Sequence, residues 1–218
     1  MEEPWGIISR EELPALPMAS TVDYSPEFSS LDYLKKYLHS SMIREKHIKE
    51  RGYVLLTNET VQELAAFLGK RKTLDAGSGT GFLAKHLEIR GCDVTACDMR
   101  DPGFHNERHM VTYWKLDKQG QAEQLLPGDY EVVILAWPPY NELFAYRIAK
   151  AMRQGQVLVY QGEGKHGCTG ENRFHDYIET RAWKKDKTTS EKLNENHKTF
   201  AGIHDYWSVY IKLISEAK

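Results

Sequence analysis

Thr73-Leu74-Asp75-Ala76-Gly77-Ser78-Gly79-Thr80-Gly81 is the stretch that decides the fold of this chain. An apolar run reaches an acid and then meets three glycines at alternate positions, which predicts a strand turning tightly into a helix over Phe82 to Arg90. Glycine belongs where the backbone takes φ > 0 or where a ligand lies against it. The following helix offers unpaired N–H groups to a polar or anionic ligand. The dinucleotide fingerprint requires Gly-x-Gly-x-x-Gly, but here the third glycine falls one residue early and Phe82 fills the reserved place, which disfavours NAD.

Working outward, Cys92-Asp93-Val94-Thr95-Ala96-Cys97-Asp98 reads as the next strand. It ends in a carboxylate about 20 residues beyond the first glycine, where related nucleotide sites hold a ribose. The pattern Asp-x-Gly-x-Gly-x-Gly resembles motif I of the class I S-adenosylmethionine-dependent methyltransferases. The resemblance covers roughly Val61 to the end. It implies an α/β fold, a Rossmann-like seven-stranded mostly parallel sheet with helices on both faces, here with an N-terminal helical extension. It also implies S-adenosylmethionine as cofactor, bound over Asp75, Gly77, Ser78, Gly79 and Gly81, with Asp98 on the ribose hydroxyls and Met99 beside it.

A chain of 218 residues suffices for one sizeable α/β domain with an elaborated edge. We place an arm and helical cap over 1–56 and the catalytic core over 57–218. Hydrophobic content of 41% and charged content of 28% fit a globular protein, and no apolar window reaches membrane-span length. The amino end lacks the basic start and apolar core of a signal peptide. Cys92, Cys97 and Cys168 have no metal-finger spacing and suit a reduced setting, so a cytoplasmic location is expected. A net charge of −2 argues against strong nonspecific binding to a phosphate backbone. A basic run from Arg181 to Lys198 leaves a local patch open.

Prolines 4, 14, 17 and 26 break regular periodicity, so residues 1 to about 27 read as an extended arm or lid. Leu31, Leu34, Leu38 and Met42 follow helical spacing, predicting one or two amphipathic helices before Gly52. A further helix starts near an Asn58 cap and stops at Gly69. Beyond Asp98 the pattern predicts a third strand around Met110 to Trp114, with Asp117 just past it. The run Glu131 to Ala136 is continuously apolar, as a strand buried on both faces is. Then come a helix ending at Gly155, a strand over Val157 to Tyr160, a helix over Phe174 to Trp183, a polar stretch over Lys184 to Asn196, and two closing strands, Lys198 to Ala201 and Trp207 to Leu213.

Ligands on open α/β sheets gather beyond the carboxyl ends of the strands. The fourth strand ends in Trp137-Pro138-Pro139-Tyr140, which resembles motif IV of methyltransferases acting on amino groups. In that family a polar residue and a backbone carbonyl grip the acceptor N–H groups, and the aromatic stacks on a planar acceptor. Tyr140 and the Pro-Pro pair match. Trp137 departs, because indole has one donor and no acceptor; it suits packing against adenine or substrate, while the Pro138 carbonyl remains as a hydrogen-bond acceptor. Asp117, by the same resemblance, would bind the adenine amino group. Glu163, flanked by glycines on the neighbouring loop, is the best candidate for a general base, the alternative being that alignment on an activated methyl sulfonium requires none. His166, Cys168 and His175 match no zinc spacing, so no metal is expected. His204-Asp205 either orients substrate or caps a hairpin.

The expected function is methyl transfer to nitrogen of a small molecule or protein side chain. A noncatalytic S-adenosylmethionine-binding subunit or regulator, or a nucleic-acid amino-methyltransferase, are the alternatives. No membrane partner is expected, and the sequence leaves the oligomeric state open.

Overall fold

A computed structural model describes residues 13–24, 30–99 and 113–214. Its centre is β4, Val132–Ala136, in which all of Val132, Val133, Ile134 and Leu135 are buried. Successive strand side chains point to opposite faces. Val132 and Ile134 therefore enter one core, with Leu64, Leu87 and Trp207, while Val133 and Leu135 enter the other, with Ile148 and Phe174. Each such side chain contributes about 1.5–3 kcal/mol by leaving water, so a strand covered on both faces is written as an unbroken apolar run.

The other strands are β1 (Thr73–Ala76), β2 (Val94–Asp98), β3 (Lys118–Gln119), β5 (Val157–Gly162), β6 (Trp183–Asp186) and β7 (Tyr206–Lys212). They form one sheet in the order β3-β2-β1-β4-β5-β7-β6. Pairing is parallel from β3 to β5, with Asp75 opposite Ala96 on one side and Ile134 on the other. β7 runs antiparallel to both β5 and β6. The chain leaves β1 towards β2 and β3, then returns to place β4 on the opposite side of β1. That reversal opens a crevice at the carboxyl ends of β1 and β4.

The helices are α1 (Ser30–Arg51), α2 (Asn58–Leu68), α3 (Phe82–Ile89), α4 (Phe144–Ala151), α5 (Asn172–Ile178) and α6 (Lys187–Glu195). α2, α3 and α6 supply the first core, α4 and α5 the second, which is the two-sided α/β layering expected of this sequence. α2 is capped by Thr57, whose hydroxyl accepts from the Thr60 N–H at 3.2 Å, one residue ahead of the expected Asn58; Gly69 ends it as expected. α1 is a single helix of 22 residues. Its Leu31, Leu34, Leu38 and Met42 stripe stands exposed, and the helix instead buries Ser40, His47 and Ile48.

The edges differ from the sequence reading. β3 lies at Lys118–Gln119, and most of the expected third strand, residues 110–112, lies outside the described residues. Both β3 side chains are exposed, so only pairing with Cys97 and Asp98 marks this strand. Trp183 opens β6 rather than ending a helix, and residues 198–201 form no strand. The polar stretch beyond Asp186 folds as α6 because the Asp186 carboxylate caps it, accepting from the N–H and the hydroxyl of Thr189 at 3.1 and 2.7 Å.

Candidate active site

The glycine loop is held by backbone and carboxylate together. Gly77, Gly79 and Gly81 have φ of 70°, 56° and 71°, the left-handed region that the sequence spacing predicted. Gly81 is further constrained: a Cβ there would lie 1.9 Å from the Lys115 carbonyl oxygen. The amides of Gly77 and Ser78 donate to the Cys97 carbonyl at 2.8 and 3.0 Å, and the Gly79 amide donates to Asp98 Oδ2 at 2.8 Å. The loop is thereby fastened to the end of β2.

Above this loop is a cavity of about 210 Å³. Asp75, Gly77, Ser78, Gly79, Asp98, Met99, Trp137 and Pro138 all line it. Gly81 shapes the loop from just behind the wall. Asp75 is buried, and burial followed by the neighbouring Asp98 charge raises its pKa to about 7. On three of the lining residues a polar atom, Asp75 Oδ1, Ser78 Oγ and Arg51 Nε, is buried without a hydrogen-bond partner among the described residues. Unpaired buried polar groups are costly, so three around one cavity mark a place for a polar ligand.

The opposite wall comes from residues that sequence reasoning missed. Arg51 ends α1, Gly52, Tyr53, Val54 and Leu56 follow it, and Phe144 opens α4. Tyr53 stacks on Trp137 with ring centroids 5.3 Å apart. Gly52 reads in sequence only as a helix terminator, and nothing near it distinguishes a cavity wall from a linker.

The two loops beyond β4 and β5 do meet: Gly170 N–H donates to the Pro138 carbonyl at 2.9 Å, and Pro139 bridges to Thr169. This contact takes one of the two acceptor positions of the Pro138 carbonyl. Glu163 is not among the residues lining the cavity. Its Oε2 accepts from the Cys168 amide at 2.7 Å and its Oε1 from the His204 amide at 3.0 Å, so it ties two loops together. Tyr140 is exposed and lines a separate groove with His166, Glu171 and Arg173. Asp117 precedes β3 rather than following the third strand; it accepts from the Ala96 amide at 2.7 Å and from Lys115 Nζ at 3.1 Å, away from the cavity wall. The distances between strand ends decide these placements, and sequence spacing does not encode them.

Trp137 takes φ of 52°, unusual for a bulky residue. Its indole N–H donates to Asp205 Oδ2 at 3.2 Å. Asp205 is buried and also accepts from Gln161 Nε2 at 2.6 Å and His197 Nε2 at 3.2 Å. Burial pushes its pKa up, but the bonds from His197, Gln161 and Trp137 outweigh this and hold it below the ordinary carboxylate range. His175 Nε2 meets the Thr169 carbonyl at 2.9 Å. Among the described residues no three His, Cys, Asp or Glu side chains gather as a metal site, and no helix is long and apolar enough to cross a membrane.

The chain matches no protein-family profile and no curated protein. Among solved structures it is similar to human N-acetylserotonin methyltransferase in complex with S-adenosylmethionine, at 14% identity and a TM-score of 0.47, over 88% of this chain and 64% of that one. It is also similar to 1,6-didemethyltoxoflavin-N1-methyltransferase of Burkholderia thailandensis, solved with bound 1,6-didemethyltoxoflavin and S-adenosylhomocysteine, at 13% identity and a TM-score of 0.41, over 88% of this chain and 94% of that one. A TehB-like S-adenosylmethionine-dependent methyltransferase of Corynebacterium glutamicum matches at 15% identity and a TM-score of 0.41, over 80% of this chain and 98% of that one. At such distances the case for function rests on the cavity itself.

Proposed function

We propose that this chain is an S-adenosylmethionine-dependent methyltransferase acting on a nitrogen of a small molecule or protein side chain. One observation carries the reading. The cavity sits at the reversal of strand order, floored by the left-handed glycine loop and flanked by the carboxylate that ends the adjacent strand. Its unpaired polar atoms on Asp75, Ser78 and Arg51 fit a ligand with charged and hydrogen-bonding groups. When bound, S-adenosylmethionine supplies a methyl group already activated on a sulfonium.

The chain's own residues then bind and align. The glycine loop allows close approach of backbone to ligand, Asp98 at the end of β2 accepts hydrogen bonds from the ribose hydroxyls, and Met99 packs beside it. Tyr53, Trp137, Pro138 and Phe144 form the apolar and aromatic wall against which an acceptor is held. With Glu163 engaged by two backbone amides, the residues of this wall contribute alignment, which can supply much of a barrier reduction. A nitrogen in its neutral form brings its own lone pair and suits such a wall, the proton of the methylated product leaving to water. A nucleobase amino group suits it less, because the residue before Pro138 is Trp137, whose indole offers no acceptor to an N–H.

The pinned Trp137 at the wall also favours a second reading, a noncatalytic S-adenosylmethionine-binding subunit. Calorimetric titration with S-adenosylmethionine and S-adenosylhomocysteine, on the native chain and on Asp98→Ala, tests the cofactor. Binding that the variant loses supports it, and no binding by the folded native chain overturns it. Labelled methyl transfer to pools of amines, proteins or nucleic acids then separates enzyme from binder.

A further inference from the structure

We propose that the groove beside Tyr140, lined also by His166, Asn172 and Arg173, is a subsite for an anionic group of the methyl acceptor, a carboxylate or a phosphate remote from the reacting nitrogen. The inference rests on the methyltransferase reading above. It adds the class of acceptor: a nitrogen compound with a planar part and a negative charge.

The groove opens where the cavity wall ends. Pro139 lines the cavity, and Tyr140, next in the chain, lines the groove. Consecutive Cα atoms lie about 3.8 Å apart, so an acceptor held in the cavity reaches the groove by extending over the Pro139 edge. Gly170, which lines the groove, donates its N–H to the Pro138 carbonyl at 2.9 Å, and Thr169 pairs with Pro139, so the two sites are fixed to each other. The Tyr140 ring is 55% exposed and offers a face to a planar group.

The groove presents a cation. The Arg173 guanidinium carbon lies 4.4 Å from the ring centroid of Tyr146, and among the described residues Arg173 forms no ion pair. Stacking fixes the plane of the guanidinium and leaves the N–H groups at its edge for a carboxylate or phosphate. Glu171 also lines the groove, but both its carboxylate oxygens are inaccessible to solvent and burial raises its pKa, so it does not oppose Arg173 at the surface. Lys165, on the same loop, is paired with Asp176. His166 takes φ of 71°, held by its amide donating to Asn172 Oδ1 at 3.2 Å. Strained backbone of this kind gathers where ligands are clamped.

The experiment titrates the full chain, saturated with S-adenosylhomocysteine, with phenyl phosphate, benzoate and benzyl alcohol, read from amide NMR shifts. The anions should bind about 10-fold tighter than the alcohol and shift the amides of His166, Gly167 and Arg173. Arg173→Met should bring the three within about 3-fold of one another, with its affinity for S-adenosylhomocysteine unchanged. Tyr140→Ala should weaken all three. Arg173→Lys should fall between, and it replaces the methionine variant as the readout if that variant does not fold. The tighter of the two anions identifies phosphate or carboxylate as the group recognised. A native chain without preference for anions, a preference that survives Arg173→Met, or anion binding seen only without S-adenosylhomocysteine overturns the subsite while leaving the cofactor standing. A folded native chain that binds no S-adenosylhomocysteine overturns the methyltransferase reading and the acceptor subsite with it.

Discussion

Trp137 and Asp205, 68 positions apart in sequence, are joined by a 3.2 Å hydrogen bond from the indole N–H to a carboxylate that also receives Gln161 and His197. The bond holds a bulky residue in left-handed backbone at the wall of the cavity. Asp205→Ala leaves three buried donors without an acceptor. We expect it to cost about 3 kcal/mol of stability in urea unfolding and to redden tryptophan emission. Asp205→Asn should lose less. An alanine variant as stable as the native chain would show that the network is dispensable.

Glu163 joins the Cys168 and His204 amides, and this assigns it to stability rather than chemistry. Glu163→Gln keeps one acceptor oxygen but sets an amide against a backbone N–H. Its melting temperature should fall, whereas the turnover of the folded fraction should keep the pH profile of the native enzyme. Disappearance of an acid limb from that profile would restore Glu163 as a base.

Gly81 and Gly155 both have positive φ, yet only Gly81 has backbone in the way of a Cβ; around Gly155 nothing lies within 4 Å. Gly155→Ala should cost about 1 kcal/mol, from conformation alone. Gly81→Ala meets the Lys115 carbonyl as well and should cost several times more, with loss of ligand binding. Equal costs from chemical denaturation would mean that the backbone at Lys115 yields easily.

His47 docks α1 on the core, with Nε2–H donating to the Val54 carbonyl at 3.0 Å. Burial lowers its pKa from 6.5 to about 4, against the raising effect of the Val54 bond and with help from the Arg51 and Arg44 charges. The unfolded chain therefore takes up this proton first as pH falls. The stability that depends on a neutral His47 is full above about pH 6.5 and is lost as pH drops towards 4, by up to about 3 kcal/mol. His47→Gln keeps a donor for Val54 and should flatten unfolding free energy over that window. An unchanged slope would place the proton uptake elsewhere.

The sequence by itself determined the centre of this protein. Alternate glycines at 77, 79 and 81 can be read because left-handed backbone nearly requires glycine. The unbroken run at Val132–Ala136 can be read because burial on both faces leaves no polar position. The cavity-lining positions Asp75 and Ser78 follow locally from the glycine run, and Asp98 from the end of the next strand.

The tertiary structure alone decided the rest. A carboxylate's role depends on which donors reach it, and only folding brought the His204 amide to Glu163, the Ala96 amide to Asp117 and the Trp137 indole to Asp205. The exposed strand Lys118–Gln119 and the edge strand Trp183–Asp186 carry no alternation to read, since pairing with a neighbour rather than burial of alternate side chains defines them. Arg51 reached the cavity for the same reason: its position depends on how α1 docks, and docking is a property of two surfaces that are distant in the chain.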